Sequence, residues 1–155
     1  MSSTGSRLLI KPKPARRVYI KVTPESTGWQ HLSFCAVKLE KGEKWEFNTG
    51  ENELALTMLG GTVDIGSSKG DWKAVGSRTD VFHGMPTTLY LSRHTSFTVT
   101  ANYGGADFAC GWAAATRDYP ARLIRPEDVN VELRGGDNAS RQINQMILPG
   151  FPCER

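Results

Sequence analysis

The stretch Glu53-Leu54-Ala55-Leu56-Thr57-Met58-Leu59-Gly60-Gly61-Thr62-Val63-Asp64-Ile65 decides the fold class. Large apolar residues alternate with polar or small residues on both sides of its centre, which is the period of a β-strand with one buried face. The Gly60-Gly61 pair predicts a turn between two strands, because no helix pattern follows that would make it a phosphate-binding loop. The stretch therefore indicates a β-sheet protein.

The same alternation recurs along the rest of the chain, in short segments separated by Gly, Pro and Asn. Further strands are predicted at residues 32–39, 45–47, 71–75, 88–91, 96–101, 106–115, 129–134 and 141–148. No window repeats apolar residues at helical spacing over three turns, so we expect very little helix. Pro126-Glu127-Asp128 could open a single helical turn. The fold class is therefore all-β, as a sandwich or barrel.

The composition is that of a globular protein. The chain has 155 residues, of which 39% are hydrophobic and 23% are charged, and this length suits one domain of ordinary size. No segment approaches the ~20 apolar residues that a membrane helix needs, and the first residues lack the apolar core of a signal peptide. We therefore expect no membrane association.

Charge and cysteine content indicate which binding partners and which cellular compartment to expect. The net charge is +3, but Lys and Arg are dispersed, and only Lys11, Lys13, Arg16 and Arg17 form a dense group. A nucleic-acid partner is therefore not expected. The three cysteines are far apart in the sequence and lack CxxC spacing, which predicts a reducing, cytoplasmic location.

One pattern of spacings matches cupin barrels, which hold a metal through inward-facing side chains on neighbouring strands. Their first motif is Gly, five residues, His, one residue, His, three or four residues, Glu, six residues, Gly. The corresponding positions here are Gly42, Asn48, Gly50, Glu53 and Gly60, and the gap before Glu53 is one residue short. This frame predicts that Glu53 lies near the barrel interior. We therefore expect a cupin-type double-stranded β-helix, or jelly-roll, barrel.

The second cupin motif also lacks its ligand. Phe97 occupies the position of the histidine ligand, so Glu53 is the one residue at the four motif positions of a type that commonly binds a metal. A single carboxylate cannot hold a divalent ion that needs at least three protein ligands. We predict no metal site and no cofactor in this chain, a barrel filled by ordinary side chains, and no assignable catalytic residue.

The other chemically distinctive residues favour structural interpretations. His83 and His94 are predicted in surface turns, and His31 and Cys35 would lie ~13 Å apart along one strand, too far to interact. We expect Cys35 to pack as a small apolar side chain. The tryptophans are expected to be core or interface anchors: Trp29, Trp45, Trp72 and Trp112.

Several segments together resemble a known family. They are Gly28-Trp29, residues 32–34, Gly42-Glu43, residues 53–64, residues 122–135, residues 138–143 and residues 147–149. In order and spacing they resemble the 5-deoxy-glucuronate isomerases of inositol catabolism and the related 4-deoxy-5-ketouronate isomerases. The similarity is to the amino-terminal cupin half, and the segment from residue 122 is similar to the one that links the two halves of that family.

The resemblance implies an activity and a division of the chain. The reaction would be the aldose–ketose isomerisation of 5-deoxy-glucuronate to 2-deoxy-5-keto-gluconate, with a divalent metal in a carboxy-terminal cupin that is missing here. We expect an extended basic arm at 1–17, a degenerate cupin barrel at 18–121, and linking strands at 122–155 that would lead into the second cupin. The chain would then be a fragment or a natural truncation, inactive alone.

The resemblance also suggests where a sugar acid would bind. Asn138 and Arg141 lie in the linking segment, from which they could reach toward a second barrel and hold the substrate carboxylate. The expected partners are a small-molecule sugar acid and either the carboxy-terminal cupin half or a second copy, bound through 122–151. The alternative is a free-standing, metal-free cupin that serves as a binding or dimerisation module.

Overall fold

The computed structural model describes residues 9–14 and 17–154, and the all-β prediction is confirmed. The strands are β1 (Val18–Val22), β2 (Leu32–Leu39), β3 (Lys44–Asn48), β4 (Asn52–Ser67), β5 (Gly70–Val75), β6 (Thr88–Leu91), β7 (Ser96–Ala114), β8 (Arg122–Ile124), β9 (Asn130–Arg134) and β10 (Arg141–Gln145). Among these described residues, helix is confined to α1 (Pro24–Thr27) and two 3-10 turns, Pro126–Asp128 and Asp137–Ala139. Within the described ranges, no helix is long and apolar enough to span a bilayer.

Two long antiparallel strands form the centre of the fold. β4 pairs with β7 from Asn52↔Ala114 to Ser67↔Phe97, and the main sheet has the order β1-β2-β7-β4-β6-β8. β3 pairs with the first part of β7, and β5 pairs with the end of β4. Alternate residues of these strands enclose one apolar core, which includes Leu54, Leu56 and Phe108.

The predicted turn at Gly60-Gly61 is wrong, because β4 continues through both glycines. The register with β7 shifts on each side of the pair, between Met58 and Gly60 and between Gly61 and Val63. Gly61 has a φ of +78°, and a Cβ at this position would overlap the Gly105 carbonyl oxygen. The glycines therefore form irregularities that bend a long strand, where the sequence pattern suggested a chain reversal. The two strands predicted at 96–101 and 106–115 are likewise one strand, β7.

The sequence pattern also missed two elements before β2. β1 lies at the sheet edge, and α1 is a single turn that begins after Thr23 and ends at Gly28, whose φ is +77°. The predicted turn at Pro126–Asp128 is present as a 3-10 turn. Three of the four tryptophans reach the core, at positions 45, 72 and 112, whereas Trp29 is partly exposed.

The segment after residue 125 lies outside the main sheet. β9 and β10 form a separate two-stranded antiparallel hairpin, with Arg141 opposite Arg134. β10 ends at Gln145, three residues earlier than expected, and residues 146–154 continue without regular structure. The division at residues 17 and 121 remains a prediction, and Arg16 of the basic arm lies outside the described residues.

Candidate functional site

The barrel interior is filled by aromatic and aliphatic side chains. Phe97 is 3% exposed, and its ring centroid lies 5.9 Å from that of Trp45 and 6.0 Å from that of Phe47. Trp45 also contacts Phe108, with 5.5 Å between ring centroids. Edge-to-face and tilted contacts at these distances stabilise a core beyond simple area burial. The prediction that Phe97 belongs to a filled barrel core is confirmed.

The side chains at the first cupin motif do not point into this interior. Asn48 is exposed, donates a 2.6 Å hydrogen bond to Ser96 Oγ and accepts a 2.8 Å hydrogen bond from the Gly50 N–H. Its neighbour Phe47 packs against the core instead. Asn48 therefore organises the turn before β4 and lies outside the core.

The expected position of Glu53 near the barrel interior is wrong. Leu54 and Leu56 of β4 belong to the core, so Glu53 lies on the opposite face of the strand. The physical reason is the motif gap that is one residue short, since a shift of one residue in a strand moves a side chain to the other face. The positions that would carry cupin ligands therefore hold an exposed amide, a glycine, an outward carboxylate and a core phenyl ring, which do not fit a metal.

Glu53 is nevertheless buried, with 5% of its surface exposed. Its Oε2 accepts a 2.8 Å hydrogen bond from the Tyr90 hydroxyl of β6 and a 3.0 Å hydrogen bond from the backbone N–H of Glu154. The pKa of Tyr90 is raised, mainly by burial and to a smaller extent by the hydrogen bond to Glu53. The hydroxyl therefore stays protonated and donates. Sequence reasoning missed Tyr90 because its partner lies on another strand.

Residues 146–154 form what we call the C-terminal strap, which covers Glu53 and Tyr90. The Phe151 ring meets the Tyr90 ring edge-on at 5.5 Å between centroids, and the Arg122 guanidinium lies 5.3 Å from the Phe151 centroid. The Glu154 carboxylate accepts hydrogen bonds from the backbone N–H groups of Thr116, at 2.6 Å, and Arg117, at 2.8 Å. The strap is therefore attached to the main sheet by both polar and aromatic contacts.

A cavity of about 250 Å³ lies beside the strap, on the outer face of the sheet. Its walls are mostly apolar, and Glu53 and Tyr90 supply the polar part of the lining. The remaining lining residues are Leu32, Leu54, Ala55, Gly111, Trp112, Ala113 and Ile147. A cleft of this kind suits a small apolar group or a packed side chain.

A charged cluster lies at the turn that joins β6 to β7. Arg93 donates from Nε and Nη2 to Asp118, both at 3.2 Å, and from Nη1 to Glu51 at 3.3 Å. The Arg93 hydrogen bond is the main reason that the pKa of Asp118 is lowered, and the same bond raises the pKa of Arg93. These contacts hold the loop after β7 against the turn before β4. The spacing of residues along the chain did not predict them, because the partners are far apart in the sequence.

His83 and His94 lie at separate exposed positions, as predicted, whereas His31, expected within a strand, lies exposed before β2. His83 Nδ1 lies 2.8 Å from the Asp80 carboxylate in an exposed loop, and His94 Nε2 lies 3.6 Å from Glu51 Oε1. His31 is exposed just before β2, while Cys35 is buried in the core. Across residues 9–14 and 17–154, no group of three or more His, Cys, Asp or Glu side chains is arranged to hold a metal ion.

Asn138 and Arg141, the two residues predicted to bind substrate, are both exposed. Asn138 lies in the 3-10 turn Asp137–Ala139, and Arg141 is the first residue of β10. The Arg141 guanidinium donates a 3.4 Å hydrogen bond to the Ala139 carbonyl oxygen. Both side chains therefore lie near the tip of the β9–β10 hairpin, and their role in substrate binding stays a prediction.

Comparison with known proteins identifies the family. The KduI/IolB family matches residues 8–155. The 5-deoxy-glucuronate isomerases of Geobacillus kaustophilus (strain HTA426) and Geobacillus thermodenitrificans (strain NG80-2) are 32% and 33% identical to this chain, each over 136 residues. These matches cover 87% of this chain and 49% of each relative, so the chain spans about half their length.

A solved structure supports the fold. An IolB-like protein from Salmonella typhimurium LT2 superposes with a TM-score of 0.88 and 23% sequence identity, over 94% of this chain and 55% of that protein. The barrel is of the cupin type, as the sequence pattern predicted. Together with the family match over nearly its whole length, these findings show that the chain belongs to the KduI/IolB family.

Proposed function

We propose that this chain is the amino-terminal, metal-free barrel of a 5-deoxy-glucuronate isomerase. The enzyme would convert 5-deoxy-glucuronate to 2-deoxy-5-keto-gluconate in myo-inositol catabolism. The observation that supports this most is the 32–33% identity over 87% of the chain to two proteins of that name. The filled barrel core around Phe97 supports the metal-free part of the proposal.

We propose that this barrel does not by itself bring together the groups that the reaction needs. An aldose–ketose isomerisation requires a base to remove a proton beside a carbonyl and an electrophile to stabilise the enediolate. Glu53 is a buried carboxylate held by Tyr90 on the outer face of the sheet, and the motif positions do not fit a cation. We propose that a second cupin barrel, with a divalent metal on histidines, supplies this chemistry.

The contribution of this chain would then be to position that second barrel and to hold the substrate. Leu133 is 78% exposed on β9, and Ile147 and Leu148 are partly exposed beside the hairpin. Exposed apolar side chains of this kind are typical of surfaces that pack against another domain. We propose that residues 122–151 contact the second barrel and that Asn138 and Arg141 reach its substrate, where Arg141 would pair with the sugar carboxylate.

The experiment compares three samples in an isomerase assay with 5-deoxy-glucuronate. They are the 155-residue chain, the carboxy-terminal half of the Geobacillus kaustophilus enzyme, and a fusion of the two in the order found in that relative. We expect turnover from the fusion at a rate at least tenfold above that of either half, and bound metal in the fusion and in the carboxy-terminal half. Turnover by the 155-residue chain with stoichiometric metal, or a fusion no faster than the carboxy-terminal half, contradicts the proposal.

The second candidate function is a metal-free cupin that acts as a binding or dimerisation module. Phe82, which is 90% exposed at the tip of the loop between β5 and β6, and Leu133 on β9 are the observations that favour it. Size-exclusion chromatography with light scattering decides between a dimer and a monomer, and a monodisperse monomer at all concentrations tested excludes the dimerisation module. In either case we propose a cytoplasmic location, since the three cysteines of the sequence are far apart and lack CxxC spacing.

A further inference from the structure

Two cysteines that are far apart in the sequence lie directly opposite each other in the sheet. Cys35 of β2 and Cys110 of β7 are partners in the antiparallel register. Directly opposed residues in such a pair have Cα atoms roughly 4.5–5.5 Å apart. Disulfides span Cα separations of about 4.4–6.8 Å, so directly opposed residues lie within the range that a disulfide can bridge.

The two thiols also share one environment. Both side chains belong to the same core cluster, and Cys35 is 2% exposed and Cys110 is 0% exposed. The neighbouring Cys110 thiol lowers the pKa of Cys35, while burial raises the pKa of Cys110. Cys35 is therefore the thiol that more readily forms the reactive thiolate.

We propose that Cys35 and Cys110 form a redox modification site, at which an oxidant of the peroxide class converts the two thiols to a cross-strand disulfide. This site is independent of the isomerase function proposed above. It places a covalent bond between β2 and β7, the strand pair that joins the sheet edge to its centre.

The chemistry balances with hydrogen peroxide as the oxidant. The Cys35 thiolate attacks one peroxide oxygen, the O–O bond breaks, and the products are a sulfenic acid on Cys35 and one water molecule after proton transfer. The Cys110 sulfur then attacks the Cys35 sulfur, forming the S–S bond and releasing the second water molecule. Two thiols lose two electrons and two protons, and one peroxide becomes two water molecules.

The bond would close a loop that contains β3 to β6, the whole central part of the fold. Closing a long loop stabilises a protein mainly by restricting its unfolded state. The remaining cysteine, Cys153, lies in the C-terminal strap and is only partly buried. It is the thiol that would compete in oxidation, so the test removes it.

The test uses the full 155-residue chain carrying Cys153→Ser, treated with hydrogen peroxide under native conditions. We expect intact-mass spectrometry to show a loss of about 2 Da, for two hydrogens, and a non-reduced peptide map to join the peptides of Cys35 and Cys110. Dithiothreitol should reverse both changes. The matched controls Cys35→Ala and Cys110→Ala, each in the Cys153→Ser background, should not lose this mass.

Two outcomes would overturn the proposal. One is a native sample in which Cys35 and Cys110 both stay reduced after peroxide treatment that oxidises the unfolded chain. The other is oxidation that yields sulfinic or sulfonic acids, or links between chains, without the peptide that joins 35 to 110. Neither result bears on the isomerase assay, so failure here leaves the proposed function untouched.

Discussion

The Tyr90 hydroxyl on β6 donates a 2.8 Å hydrogen bond to the Glu53 carboxylate on β4, and the C-terminal strap lies over both side chains. The same carboxylate oxygen accepts the backbone N–H of Glu154. One buried acceptor thus connects two strands of the main sheet to the last described residues of the chain. Because the contact is buried, its loss is expected to cost more than a surface hydrogen bond would.

Removing the Tyr90 hydroxyl tests this connection. Tyr90→Phe keeps the ring contact with Phe151 and takes one donor from the buried Glu53 carboxylate, so unfolding free energy should fall by about 1–3 kcal/mol. Tyr103→Phe is the matched control, because that ring is 86% exposed, and its change should stay within about 0.5 kcal/mol. Urea denaturation measures both. Equal stability of the two variants would show that the bond contributes nothing.

The attachment of the strap depends on Glu154. Its carboxylate accepts the backbone N–H groups of Thr116 and Arg117, so Glu154→Ala should release the strap and expose those amides. We expect faster hydrogen exchange at residues 116 and 117 and faster proteolysis within residues 146–154. Glu127→Ala, an exposed carboxylate in another segment, is the control. Exchange rates at 116 and 117 that match the wild type would contradict this account of the strap.

The irregularities in β4 and β7 predict unequal effects of two glycine substitutions. Gly61 and Gly104 both have positive φ, +78° and +91°, but only Gly61 has a backbone carbonyl where a Cβ would lie. Gly104→Ala should cost about 1–3 kcal/mol from backbone strain. Gly61→Ala should add about 1–3 kcal/mol for the overlap with Gly105, or prevent folding. Thermal unfolding measures the difference, and a Gly61→Ala protein as stable as Gly104→Ala would argue against the overlap.

Asp64 should contribute a pH-dependent part of the stability. Its pKa is lowered from 3.8 to about 2. The largest cause is the hydrogen bond from the Ala74 N–H, followed by those from the Asn102 amide and the Lys73 ammonium. A lowered pKa stabilises the folded state above pH 3.8, and this stability is lost as pH falls toward 2. The wild type should therefore lose stability between pH 4 and pH 2 more steeply than Asp64→Asn. Asp137→Asn, in an exposed turn, is the control, and parallel curves for all three proteins would refute the assignment.

The proposed role of Arg141 is testable in the active fusion. Arg141→Ala should raise the apparent KM for 5-deoxy-glucuronate at least tenfold, because a charge-assisted pair with the substrate carboxylate is lost. The kcat should change less than KM. Lys69→Ala, which removes an exposed cation outside residues 122–151, should leave both constants unchanged. If Arg141→Ala leaves KM at the wild-type value, Arg141 does not bind the substrate.

The strand pattern was readable from sequence because alternation of side chains is a local property of an extended chain. Leu54, Leu56 and Phe97 could be placed in a core on that basis, and the missing histidines excluded a cupin metal set. The same reasoning failed at Gly60-Gly61, because a pair of glycines is compatible either with a turn between strands or with a bend within one strand. Which of the two occurs depends on β7, the partner strand.

The sequence by itself determined the β-sheet class, the filled barrel core and the kinship to one family, because each depends on residue type and spacing along the chain. The tertiary structure alone decided that Glu53 faces outward beneath the strap and that Cys35 lies opposite Cys110. Both depend on register, which is set by how distant strands pair. A shift of one residue in that pairing would move each side chain to the other face of the sheet, and no local pattern records it.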